Sequence, residues 1–131
     1  MKKFILGVDF DGTIIENETD YVPRTLMSNV KEVLDWAHKK NCFIILWTCR
    51  SGKGLQQAVN FLKQKEIPFD AVNKNYPDLG IETSNKIFAS YYIDDRSFEI
   101  NWLDIKKIIA KKMIEQLADE IQELAKELEE M

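Results

Sequence analysis

The sequence has few cysteines, no long apolar run and no long basic stretch. Cys42 and Cys49, in a chain without a secretory signal, are expected to be free thiols. The apolar runs at residues 4–8 and 42–47 fall far short of the ~20 residues that a membrane-spanning helix needs. No basic stripe of the kind that binds duplex nucleic acid is present. These absences predict a cytoplasmic protein with no membrane partner.

Charge is distributed unevenly along the chain. Residues 113–131 contain seven acidic residues and one lysine, which gives −6. Because the whole chain carries −4, residues 1–112 carry +2. A mildly basic body suits a phosphorylated substrate, although it does not require one.

Short apolar runs alternate with helical patterns along the chain. Residues 73–83 are expected to be irregular, and Ser84 is expected to cap a short helical turn. Strands that are apolar on both sides and alternate with helices are typical of a parallel sheet. We predict an α/β fold, a three-layer Rossmann-like parallel sheet with helices on both faces and a long C-terminal helix. The predicted strands are residues 4–8, 42–47, 69–72 and 91–93, and the predicted helices are residues 24–40, 55–65 and about 101 to 131.

Aspartates follow the first and last predicted strands at their carboxyl ends, where ligands of such sheets bind. Asp9 and Asp11 should converge, because residues two apart in an extended chain point the same way. Asp94 and Asp95 follow the last strand. Neighbouring carboxylates repel each other unless a cation relieves them, and Mg²⁺ favours oxygen ligands. We therefore predict a Mg²⁺ site, with the backbone carbonyl of Phe10 as a further candidate ligand.

Other polar residues at these strand ends suit phosphate. Thr48 follows the second strand and offers a hydroxyl and nearby backbone amides to phosphate oxygens. Lys86 offers a compact positive charge. Lys74 competes with Lys86 for this role. Arg50 is a further candidate, because a guanidinium can fork onto a phosphate.

In this order, these residues resemble the four motifs of the haloacid dehalogenase superfamily of phosphotransferases. Residues 9–13, Asp-Phe-Asp-Gly-Thr, are similar to the first motif. Thr48 after the second strand is similar to the second motif, and Lys86 to the third. Asp94 and Asp95 are similar to the fourth. The four motifs and the strands that precede them span residues 4–95, which are most of residues 1–112.

The resemblance implies a magnesium-dependent phosphatase, a phosphoric monoester hydrolase that acts through an aspartyl-phosphate intermediate. Asp9 would be the nucleophile and Asp11 the acid–base group, and both would bind the metal. Thr48 and Lys86 would bind the phosphate. Asp94 would be the third metal ligand. The following residue, Asp95, would support the ligands or reach the metal through water.

The gaps between the motifs leave no room for the cap domain that many members of this superfamily carry. Ten residues separate Thr13 from the predicted helix at residue 24, and only residues 73–83 form the loop after the third strand. The resemblance is therefore to capless members with open sites. We predict a catalytic domain over residues 1–112, with a phosphorylated substrate that is either a small molecule or an exposed phosphate on a polymer.

The end of the chain has the spacing of a coiled coil. Its apolar residues stand alternately three and four residues apart, at Ile114, Leu117, Ile121, Leu124 and Leu128. At ~1.5 Å per residue, thirty helical residues would span about 45 Å, longer than so small a domain is wide. We predict that residues 113–131 are a self-association helix of a homo-oligomer, with a dimer as the simplest case. The acidic excess opposes parallel pairing. Folding back onto the sheet is the alternative.

Two other functions fit part of the pattern. A signalling receiver domain also combines acidic residues, a Thr or Ser and a Lys on such a sheet, but its phosphorylated aspartate follows the third strand. Here Asn73 occupies that position, and the Asp-x-Asp pair comes first. A catalytically silent scaffold that assembles through the C-terminal helix is the second alternative.

Overall fold

A computed structural model describes residues 2–131 of the chain. Within this range the chain forms a four-stranded sheet and three α-helices. The sheet has the order β3-β2-β1-β4 and its neighbouring strands are parallel, which confirms the predicted fold class. The elements are β1 (Ile5–Val8), α1 (Val30–Lys39), β2 (Phe43–Leu46), α2 (Gly52–Gln64), β3 (Ala71–Val72), β4 (Tyr91–Ile93) and α3 (Trp102–Glu130).

The two faces of the sheet are covered by different kinds of structure. On the helix-covered face, Leu6 and Ile44 belong to a core that includes buried side chains of α1, α2 and α3. On the loop-covered face, Ile5 and Ile45 pack with side chains of the segment 73–90. The alternation of side chains along a strand produces this division.

The layer on the loop-covered face corrects one part of the prediction. We expected helices on both faces, but within residues 2–131 the segment 73–90 contains no helix, and Ser84 caps no helical turn. The segment instead places Ile87 and Ala89 in the buried core of this face, with Tyr76 and Leu79 packed against it. Irregular chain can therefore supply the third layer, because shielding the strands requires apolar side chains and not a regular backbone.

Helix α1 begins six residues later than the predicted start at residue 24. Leu26 pairs with Ile15 in an isolated antiparallel bridge, and the amide of Met27 donates to the carbonyl of Ile14 at 2.8 Å. These residues close off the chain that follows β1. Their helical spacing reflects burial against the core and not helical structure.

Helix α3 is a single helix whose first part packs against the core and whose second part exposes its apolar side chains. Asn101 caps its start by accepting a hydrogen bond from the amide of Asp104 at 3.1 Å. Trp102, Ile105 and Ile109 are buried, whereas the five predicted seam residues are between 39% and 71% exposed. Despite the length of α3, the residues described include no helix apolar enough over its length to cross a membrane.

Candidate functional site

Three aspartates meet where the inner strand β1 and the edge strand β4 end. Asp9 follows β1, and Asp94 and Asp95 follow the parallel neighbour β4. Each can offer a carboxylate oxygen within 4.8 Å of the other two. The amide of Asp9 donates to the carbonyl of Ile93 at 2.9 Å, which extends the pairing of the two strands by one residue. Parallel pairing thus brings together carboxylates that are 85 positions apart in the chain.

The protonation of Asp9 reflects the crowding of negative charge. Burial, the charge of Asp94 and a hydrogen bond with Asp95 together raise the pKa of Asp9 to about 7. Near neutral pH the isolated cluster therefore holds a proton that an exposed aspartate would have lost. A divalent cation between the carboxylates would remove the repulsion and favour the ionised form of Asp9.

Thr13 joins the two strand ends that carry the cluster. Its hydroxyl donates to Asp9 Oδ2 at 3.2 Å and accepts from the amide of Asp95 at 3.0 Å. Its backbone carbonyl accepts from Trp102 Nε1 at 2.9 Å, which ties the turn to the start of α3. Among residues 2–131, Thr13 is the one polar residue that is buried.

Sequence reasoning assigned no separate role to Thr13. The available signal was a hydroxyl residue directly after an Asp-Gly pair that closes a buried strand. A buried hydroxyl needs hydrogen-bond partners, and the nearest polar groups at this point are those of the cluster.

Gly12 lies at a point where no side chain fits. Its φ is +77°, in the left-handed region that glycine favours. A Cβ on this residue would lie 2.4 Å from Asp95 Oδ2 and 3.0 Å from Asn17 Nδ2. Both the backbone conformation and the close approach of Asp95 therefore require glycine.

The backbone carbonyl of Phe10, which we predicted as a further candidate metal ligand, lies within the turn that follows β1. It accepts hydrogen bonds from the amides of Thr13, Ile14 and Ile15, at 3.2, 3.0 and 3.2 Å. This carbonyl therefore closes the turn after β1. The extended chain ends at Asp9, and a carbonyl inside a tight turn points along the turn.

Asp11 lies apart from the three clustered aspartates and is held by Arg50. The Nε and Nη2 atoms of Arg50 donate to the Oδ2 and Oδ1 atoms of Asp11 at 2.8 and 2.7 Å, which forms a bidentate pair. The side chain of Arg50 is only 9% exposed. Asp9 and Asp11 do not converge, because the period of two ends with the strand.

The guanidinium of Arg50 is fixed by further contacts. It donates to the backbone carbonyls of Gly54 and Tyr21 at 3.1 and 2.7 Å. It also lies over the ring of Phe10, 5.0 Å from the centroid. Arg50 was predicted to fork onto a substrate phosphate, but in this structure it forks onto Asp11.

Thr48 is locked to the end of the neighbouring strand by Asn73. The amide of Thr48 donates to Asn73 Oδ1 at 2.9 Å, and Asn73 Nδ2 donates to the carbonyl of Thr48 at 3.0 Å. The Thr48 hydroxyl oxygen accepts from the amide of Arg50 at 3.1 Å, so its hydrogen remains available to another acceptor. No sequence pattern predicted this role for Asn73, which has a φ of +51°.

The structure does not bring the candidate lysines into contact with the cluster. The ammonium of Lys86 lies 5.2 Å from the centroid of the Tyr92 ring, and Lys74 is exposed. Among the described residues, neither lysine forms an ion pair with a carboxylate.

Comparison with known proteins identifies a relative by structure. No protein-family model matches the chain, and no curated protein matches it. A solved structure from Bacteroides thetaiotaomicron, described as a conserved protein coded by locus, has 30% sequence identity and a TM-score of 0.74. The match covers 85% of this chain and 93% of that chain, and its description names no activity. The chain belongs to the same family as this conserved protein of Bacteroides thetaiotaomicron.

Proposed function

We propose that the protein is a magnesium-dependent phosphomonoester hydrolase of the haloacid dehalogenase type, with Asp9 as its nucleophile. The observation that carries the proposal is the meeting of Asp9 with Asp94 and Asp95 at the carboxyl end of a parallel sheet. In such sheets ligands bind at this edge. The order of the motif residues along the chain supports the same reaction.

The cluster has the donor set of a hard divalent cation. It offers carboxylate oxygens, which Mg²⁺ prefers, and these are partly buried beside one another. The raised pKa of Asp9 shows how strongly the site disfavours uncompensated negative charge. Bound Mg²⁺ would offset the repulsion between Asp9 and the phosphoryl group. We predicted a supporting role for Asp95. Its carboxylate lies as near to the other two as a direct metal ligand would need to be.

The surrounding residues orient the nucleophile. Thr13 donates to Asp9 Oδ2, which leaves Oδ1 as the oxygen that attacks phosphorus. The new O–P bond forms as the ester oxygen leaves, and water then attacks phosphorus to release phosphate and restore Asp9. The Thr48 hydroxyl donates to a phosphate oxygen. Lys86 or Lys74 supplies the positive charge that binds the phosphate.

Acid–base catalysis requires a change at the pair of Asp11 and Arg50. Both oxygens of Asp11 accept from the guanidinium, so proton transfer to a leaving group needs at least one of them released. A substrate phosphate competes for the same fork. In the proposed reaction, phosphate binding to Arg50 releases Asp11, which takes up a proton from solvent, gives it to the leaving oxygen and later accepts a proton from the attacking water.

A turnover assay tests the proposal. We expect release of inorganic phosphate from 4-nitrophenyl phosphate with Mg²⁺, loss of activity in EDTA and recovery when Mg²⁺ is added back. Asp119→Asn, an exposed substitution on α3, is the matched control for removal of a carboxylate and should keep full activity. Phosphate release that persists in EDTA would refute the metal assignment. A folded protein without turnover of aryl, nucleotide and sugar phosphates would instead favour the silent scaffold.

A further inference from the structure

We propose that α3 pairs with α3 of a second copy of this chain in an antiparallel arrangement, so that the protein is a homodimer. The surface concerned is the seam, defined as Ile114, Leu117, Ile121, Leu124 and Leu128. These side chains recur every three and four residues and are between 39% and 71% exposed. The proposal does not depend on the catalytic function.

The seam lies on a part of α3 that the body leaves uncovered. Met113 is the last residue of the helix that packs against the core, and α3 continues to Glu130. Seventeen residues beyond Met113 correspond to about 26 Å of helix. A narrow apolar stripe on a helix otherwise rich in charge is the pattern of a two-helix interface.

Contacts with the start of the chain fix a different side of α3. Gln116 Nε2 donates to the backbone carbonyl of Lys2 at 2.8 Å, and the amide of Lys2 donates to Glu120 Oε1 at 2.8 Å. The body therefore supports the helix through Gln116 and Glu120. Leu117 and Ile121, the seam residues next to these two contacts, remain exposed.

The charges along α3 indicate that the seam pairs with a second copy of α3, and that the two helices run in opposite directions. Residues 102–112 contain four lysines and one aspartate, which gives +3, whereas residues 113–131 carry −6. Antiparallel pairing places each acidic end beside the basic part of the other helix. Parallel pairing would place the two −6 ends side by side. A second copy thus supplies both the apolar and the charged complement of the seam.

The spacing allows more than one antiparallel register, and the charges select the one that brings each acidic end beside the lysines of residues 102–112. The heptad continues from the seam back to Ala110 and forward to Met131. In this antiparallel pair, residues at the a position of one helix face residues at the d position of the other, across a two-fold axis near Asp119. Leu117 then lies opposite the partner's Ile121, and Ile114 lies opposite the partner's Leu124.

Sedimentation equilibrium on the full chain tests the seam. We expect twice the monomer mass of 15.3 kDa at micromolar concentration. Ile121→Glu should reduce the mass to that of the monomer, whereas Gln122→Glu, the same change of charge on the next exposed residue, should leave the dimer intact. Circular dichroism confirms that both variants stay helical. A monomeric native chain, or equal behaviour of the two variants, would overturn the proposal.

Disulfide cross-linking tests the direction. In a Cys49→Ser background, where Cys42 is buried, Ala118→Cys places a thiol beside the two-fold axis and should give a covalent dimer under mild oxidation. Met131→Cys should not, because the antiparallel register separates the two copies of residue 131 by about 36 Å. Cross-linking through residue 131 and not through residue 118 would overturn the antiparallel arrangement.

Discussion

Asp9 and Asp11 are separated by one residue, yet their surroundings are electrostatically opposite. Asp9 lies among carboxylates, and its pKa is raised to about 7. Asp11 accepts two charge-assisted hydrogen bonds from the guanidinium of Arg50. The end of β1 causes the difference, because Asp9 still pairs with β4 and Asp11 lies beyond the point where the chain turns. Two identical side chains can therefore take different chemical roles.

Replacement of Asp9, the proposed nucleophile, should have the largest effect. Asp9→Asn replaces the carboxylate by an amide, whose oxygen is a poor nucleophile, and we expect kcat to fall by a factor on the order of 10³ or more. Phosphate release from 4-nitrophenyl phosphate measures the loss, and circular dichroism confirms the fold. Turnover close to that of the native protein would show that Asp9 does not act covalently.

The effect of Asp11→Asn should be somewhat smaller and should depend on the leaving group. Loss of an acid–base group typically costs about 10²–10⁴-fold in rate. We expect kcat/KM to fall less for 4-nitrophenyl phosphate, whose leaving group needs no proton, than for an alkyl phosphate. Asp9→Asn should lower kcat/KM for both esters to a similar degree. Equal losses for the two esters in Asp11→Asn would contradict the acid role.

Removal of the Thr13 hydroxyl should affect stability as well as rate. Thr13→Val keeps the volume but leaves Asp9 Oδ2 and the amide of Asp95 without this partner. We expect the free energy of unfolding in urea to fall by about 1–3 kcal/mol. Thr13→Ser retains the hydroxyl and is the matched control, with a smaller loss. Destabilisation by Thr13→Ser as large as that by Thr13→Val would mean that the hydroxyl contributes no more than the methyl group, which would contradict this prediction.

The pH dependence of stability should show the smallest effect. The folded state binds the Asp9 proton more tightly than the unfolded state, so without a cation this carboxyl makes the fold less stable as pH rises from about 4 to about 7. In EDTA, the Tm of the native protein should therefore fall relative to that of Asp9→Asn over this range, by a few degrees. In the presence of Mg²⁺, the difference in Tm between the two proteins should vary less with pH. A difference in Tm that is independent of pH in EDTA would contradict the raised pKa.

Much of the fold could be predicted because it follows from local patterns. The apolar runs that became β1, β2 and β4 are short and bounded by polar residues, and the parallel order then places Asp9 near Asp94. The predicted start of α1 was wrong because Leu26 and Met27 pair with the chain after β1, which partly buries them against the core. Periodicity reports which side chains are buried, and the backbone that buries them can be a helix or a bridge.

The details of the site depend on contacts that no local pattern contains. The pair of Asp11 and Arg50 joins residues 39 positions apart, and Thr48 meets Asn73 across 25 positions. Each contact depends on how a turn directs one side chain after its strand has ended. The pattern rules of strands no longer apply there, so the sequence predicted the residues of the site better than their partners.

The position of β1 has a consequence for how the protein is made. β1 precedes the other strands in the chain but lies inside the sheet, between β2 and β4. One edge of β1 can be covered once β2 is synthesised, whereas the edge that carries the Asp9 amide waits for β4. Until then, an open strand edge is exposed to other nascent chains. A chain interrupted before residue 94 would carry Asp9 without the rest of the cluster, so the complete cluster can appear only after most of the chain has left the ribosome.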